Sequence, residues 1–78
     1  MKLTNAEEGK RVLNEDGETV GMVTKVDEKT GKAYVNPDPN IAEKIMSRLG
    51  WDSVDEDSYT IEQHQVDSMT DDEIHLKH

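Results

Sequence analysis

The chain has 78 residues, no cysteine, no phenylalanine, 32% apolar residues and a formal net charge of −9. That length suits one domain, and the missing cysteines exclude disulfides and thiolate metal sites. No apolar run is long enough to cross a bilayer as a helix, and the acidity opposes nucleic-acid binding, whose affinity comes largely from neutralising phosphates.

Met1 to Glu8 carries no apolar core and turns acidic at once, so it reads as a flexible lead-in over residues 1–8 and not as a signal peptide. A single domain is expected over 9–78, soluble and cytoplasmic. Gly9 to Asn14 reads as a short strand, and Glu15-Asp16-Gly17-Glu18 as a turn in which Gly17 supplies the positive φ of a tight hairpin. Thr19 to Asp27 reads as a longer strand, with Val20, Met22 and Val26 expected on one face and Thr24 between them. Gly21 inside that strand predicts a bulge or a close backbone approach. Glu28-Lys29-Thr30-Gly31 is a second turn, and Lys32 to Val35 a third strand with Ala33 and Val35 on one side and Tyr34 on the other.

Asn36-Pro37-Asp38-Pro39 should break the sheet, because two prolines remove two backbone donors. Asn40 then reads as a helix cap, with Glu43 placed as in a capping box. Ile41, Ala42, Ile45, Met46 and Leu49 fall on one helical face, and Gly50 is a natural stop, which predicts a helix over about 40–49. Trp51 to Ser58 reads as an acidic loop. Short strands follow at Tyr59–Ile61, Gln65–Met69 and Ile74–Leu76, with a turn, or one helical turn capped by Thr70, at Thr70–Glu73. In the middle strand of these, Gln65, Asp67 and Met69 are expected opposite Val66 and Ser68.

Signals for chemistry are weak. No Gly-x-Ser-x-Gly turn is present and no thiol exists, so the chain reads as a non-enzyme with no cofactor. His64, His75 and His78 read as surface histidines. Asn14-Glu15-Asp16-Gly17 holds the middle of a calcium loop, but Val12 and Val23 fall at its first and twelfth ligand positions. Lys10, Arg11, Lys25, Lys29 and Lys32 are interleaved with Glu15, Glu18, Asp27 and Glu28, which predicts a mixed surface. Trp51 either covers the core or serves as an exposed anchor, tryptophan being frequent in binding hot spots. Trp51, Ile41, Met46 and Tyr34 are the candidate contact residues.

The charge is uneven. Residues 1–48 carry nine acids and eight bases, whereas 49–76 carry nine acids and no lysine or arginine. Two like charges ~10 Å apart in water repel by ~0.4 kcal/mol, so a dozen such pairs cost roughly 5 kcal/mol at low salt. Molar salt shortens the screening length to ~3 Å and removes most of that cost. The sequence therefore suggests a protein adapted to high salt, the alternative being an ordinary acidic protein kept soluble by its charge, and its seven lysines are more than extreme adaptation would favour.

The run Gly9-Lys10-Arg11-Val12, then Asn14 to Val23 with its Asp16-Gly17 turn and Val20-Gly21 pair, then Val26-Asp27, resembles the opening of the PRC-barrel family. The remainder, with Pro37-Asp38-Pro39 and Leu49-Gly50-Trp51, is similar to short, acidic, stand-alone PRC-barrel proteins of salt-loving archaea. The resemblance implies a mainly β fold, a small SH3-like barrel of about six strands with one short helix. Members include a domain of the photosynthetic reaction-centre H subunit and the C-terminal domain of a ribosome maturation factor, and archaeal members are linked to cell division. Their roles are scaffolding and protein contact. The inserted helix and the lack of a companion domain separate this chain from them, so neither specific role carries over. The expectation is a protein-interaction or adaptor module, with a protein partner or a homodimer and no membrane insertion. The rival expectations are an RNA-processing or ribosome-assembly factor and a small-ligand or cation binder.

Overall fold

The computed structural model describes residues 3–49, 51 and 59–77. The expected stop at Gly50, the acidic stretch 52–58 and the terminal His78 lie outside the described residues. The chain is mainly β, with strands β1 (Arg11–Leu13), β2 (Thr19–Asp27), β3 (Lys32–Pro37), β4 (Thr60–Glu62), β5 (Val66–Met69) and β6 (Glu73–Leu76), and one short helix, α1 (Glu43–Arg48). They form one six-stranded sheet in the order β4-β3-β2-β1-β6-β5. The β1–β6 pair is parallel, and the others are antiparallel. The two edge strands, β4 and β5, are joined by a single 3-10 turn at Gln63–Gln65. A sheet whose outermost strands are consecutive in the chain has to curl, and this one forms a half-barrel around its core.

The core is aliphatic and built by alternation. Val12, Val20, Val23, Val26, Ala33, Val35, Ile61, Val66, Ile74 and Leu76 point inward from the strands, joined by Leu3, Ile45 and Trp51. Each of the larger side chains contributes roughly 1.5–3 kcal/mol on full burial. The turn after β1 is set by Asn14, whose Oδ1 accepts from the Asp16 N–H at 3.0 Å and the Glu18 N–H at 2.8 Å. Gly17 there has φ +80°, the left-handed value the Asp-Gly pair predicted.

The expected face of β2 is corrected by two bulges. Val12 pairs with Gly21 but Leu13 with Thr19, which leaves Val20 as an extra residue. Val23 pairs with Val35 but Lys25 with Tyr34, which leaves Thr24 extra. Each bulge advances the two-residue period by one. Val20, Val23 and Val26 therefore point inward, and Met22 points out, 48% exposed. Gly21 meets the close approach its presence predicted: a Cβ there would lie 2.8 Å from Val35 Cγ1 and closer still to the Asn36 carbonyl. A third bulge, at Asp67, turns both Val66 and Met69 towards the core, where strict alternation would have separated them.

Two expected boundaries also move. Strand β3 continues to Pro37, which pairs with Gly21 as its last residue, so the break comes at Asp38. The Asp38 side chain then accepts from the Asn40 N–H at 2.8 Å, and its carbonyl accepts from the Ile41 N–H at 3.0 Å. That turn holds Asn40 away from the cap, and α1 begins at Glu43 after Ala42, which has no capping side chain. The helix is six residues long, not the ten of 40–49. At its other end the Trp51 N–H donates to the Met46 carbonyl at 2.8 Å, the outer bond of a Schellman closure.

The lead-in is a correction of a different kind. Leu3 is fully buried, and its N–H donates to Gln63 Oε1 at 3.1 Å. Thr4 and Glu7 form a capping box around a 3-10 turn at Asn5–Glu7. Residues 3–8 are therefore part of the folded domain, anchored by an apolar side chain and a satisfied cap.

Candidate functional site

Side chains outside the core gather on the convex face of the sheet. Met22 on β2 is an exposed large hydrophobic residue there. It stands opposite Arg11 on β1 and Asn36 on β3. Arg11 Nη2 lies 2.9 Å from Glu73 Oε2 on β6, and Glu73 Oε1 lies 3.1 Å from His75 Nε2. One carboxylate thus ties β1 to β6 across the parallel pair. Tyr34 on β3 is half-buried beside Lys25, its register partner, and the Thr24 hydroxyl donates to the Tyr34 carbonyl at 3.3 Å. The surface is an apolar point at Met22 with Tyr34 nearby, set in a polar field of both signs.

The four candidate contact residues do not converge. Tyr34 lies on this outer face. Ile41 and Met46 pack partly buried against the core. Trp51 is 2% exposed, its Nε1 donates to the Thr60 carbonyl at 3.1 Å, and its ring meets Tyr59 edge-on at 5.5 Å. Trp51 is therefore a core residue, and the exposed-anchor alternative is set aside by its burial. Met22 is the residue that sequence reasoning missed. Its only signal was the neighbouring Gly21, which marked a disturbed strand but not its phase.

The basic residues do not make a patch. Lys10 Nζ is 3.8 Å from Glu7 Oε1, and Arg11 is paired to Glu73. Lys25 and Lys29 line one shallow hollow of about 440 Å³ together with Asp27, Glu28 and Tyr34. Another hollow, of about 370 Å³, is lined by Thr30, Gly31, Glu62, Gln63 and His64, with His64 Nε2 2.7 Å from Glu62 Oε2. Both are open and lined with polar groups, unlike the enclosed apolar clefts that hold small ligands. Among the described residues, no three histidine or carboxylate side chains converge as metal ligands. In the Asn14–Gly17 segment the Asn14 oxygen is already engaged by two backbone donors.

One buried ionisable group stands out. Burial pushes the Glu7 carboxyl up, but donation from the Thr4 hydroxyl and N–H and the Lys10 ammonium outweigh it and hold its pKa below the ordinary 4.5. Glu7 serves the N-terminal cap and is remote in role from the outer face.

Residues 3–76 match a family described as a family of unknown function (DUF8593). The chain belongs to that family. No curated protein matches it, and no solved structure does. The DUF8593 match begins at Leu3, in keeping with that residue's place in the core. No helix among the described residues is long and apolar enough to cross a membrane.

Proposed function

We propose that this member of the DUF8593 family is a non-enzymatic protein-interaction module of PRC-barrel type, working in a salt-rich cytoplasm. The observation that carries the proposal is the outer face around Met22. An exposed methionine is adaptable in shape and suits a contact surface. The paired Arg11 and Glu73 beside it leave that region near charge balance, so a partner can approach without meeting the repulsion of the acidic chain as a whole. The curled six-stranded sheet with one short helix supports the PRC-barrel reading. The pairing of Lys10 and Arg11 with carboxylates disfavours the RNA reading, since those charges are already neutralised.

The test combines light scattering with retention of cell proteins on the immobilised domain at molar salt. The proposal expects a retained protein or a homodimer, lost in Met22→Lys while the unfolding free energy from urea melts stays within about 0.5 kcal/mol of the original, as for a surface change. A monomer that retains nothing, or retention indifferent to Met22→Lys, Tyr34→Ala and Arg11→Ala alike, would overturn it.

A further inference from the structure

Strand β4 is the outermost strand on its side of the sheet. The Val35 N–H donates to the Tyr59 carbonyl at 2.8 Å, and the Gln63 N–H to the Gly31 carbonyl at 3.2 Å. Ladder hydrogen bonds alternate along an antiparallel strand. These two bonds therefore turn the backbone groups of Tyr59, Ile61 and Gln63 towards β3, and those of Thr60 and Glu62 away from it. An edge strand normally leaves such outward groups free to template another strand. Here two of them are held by side chains: Trp51 Nε1 donates to the Thr60 carbonyl at 3.1 Å, and the Glu62 N–H donates to Gln65 Oε1 at 2.7 Å.

We infer that Trp51 and Gln65 close the β4 edge against addition of a second copy of this chain. The two contacts are not arbitrary choices along the edge. Antiparallel pairing of two β4 strands centred on Ile61 would set Thr60 of one copy opposite Glu62 of the other. No like charges would then face each other, so the register itself is permitted. Its ladder would need a bond from the Glu62 N–H to the Thr60 carbonyl. Gln65 holds the donor of that bond and Trp51 a lone pair of its acceptor. A backbone N–H donates once, so Gln65 is the stronger of the two closures. At the far edge, β5 carries the Asp67 bulge, which interrupts a regular row of outward groups by itself. This inference does not depend on the proposed function.

Amide exchange and sedimentation test it at molar salt, where acidic repulsion is screened. In Gln65→Met the Glu62 amide should exchange at least about tenfold faster than in the original protein, with the Ile61 amide unchanged, since loss of about 1.4 kcal/mol of protection is one decade. In Gln65→Met with Trp51→Phe, which keeps most of the ring packing, sedimentation should show concentration-dependent association beyond that of the original chain. Unchanged Glu62 exchange in Gln65→Met would overturn the inference, as would a folded double variant that associates no more than the original. Should the double variant not fold, sedimentation of Gln65→Met alone decides: association beyond the original supports the inference, and none overturns it.

Discussion

The meander β1–β3 and the strands β4–β6 differ sharply in charge yet are not separate in space. The first 48 residues carry nine acids and eight bases, while 49–76 carry nine acids and no lysine or arginine. In the sheet, however, β4 lies against β3 on one side, and β6 and β5 extend from β1 on the other. The described strands of the acidic part therefore flank the balanced part on both sides. Its inward residues, Ile61, Val66, Ile74 and Leu76, are as deeply buried as those of the meander. One of its acids, Glu73, is paired to Arg11 of the meander at 2.9 Å. Strand order, and not sequence order, decides which charges become neighbours. The domain should accordingly unfold as a unit, with its acidic flanks as the salt-sensitive part.

The largest expected effect falls where the two regions are joined. Trp51 packs in the common core and bonds to β4, so Trp51→Ala should cost about 3–5 kcal/mol. That approaches the whole stability of a small domain, ~5 kcal/mol at the low end, so the urea transition should begin close to zero denaturant, with the β signal of both regions lost together in far-UV circular dichroism. If the meander kept its structure alone, part of the β signal would survive, and the unity of the two regions would be refuted. Within the meander, Gly21→Ala drives a Cβ into Val35 and the Asn36 carbonyl and should cost roughly 1–3 kcal/mol in urea melts. A smaller loss, about 1–2 kcal/mol, is expected for Asn14→Ala, which leaves two turn N–H groups without their acceptor. Asn14→Asp should retain most of that stability, because it keeps an acceptor in place.

The smallest effect concerns the N-terminal cap and depends on pH. The folded pKa of Glu7 lies below its ordinary 4.5, so its contribution to stability is fully present above that pH and is lost as pH falls through the folded value. Thr4→Ala, which removes the hydroxyl donor, should cost about 1 kcal/mol at neutral pH and flatten this acid limb. An acid limb of unchanged steepness would show that Thr4 does not set the carboxyl's pKa.

Much of the fold was legible from local signals. The span of β2, the Asp16-Gly17 turn, the opposed faces of Ala33 and Tyr34 and the alternation Ile74-His75-Leu76 follow from period and turn chemistry. The faces of Met22 and Met69 were not legible, because a bulge depends on the register of the partner strand and leaves little trace in its own sequence. The helix start was misplaced because Asp38 and Asn40 are both plausible turn and cap residues, and tertiary hydrogen bonding chose Asp38. The lead-in was misread although Thr4 and Glu7 carry a capping-box spacing; Leu3 is buried in a core built from distant strands, and its N–H is held by Gln63, sixty residues away. The outer face was half visible through Tyr34, while its most exposed apolar residue was hidden by the phase shift in β2.

Acidic strands that share one core with the balanced meander should unfold with it and should be destabilised by their own charge at low salt. Urea unfolding at low and at molar salt, followed together by Trp51 fluorescence and far-UV circular dichroism, tests it directly. One coincident transition is expected, with a midpoint that rises with salt. Equal midpoints at the two salt concentrations, or transitions that separate between the two probes, would contradict it.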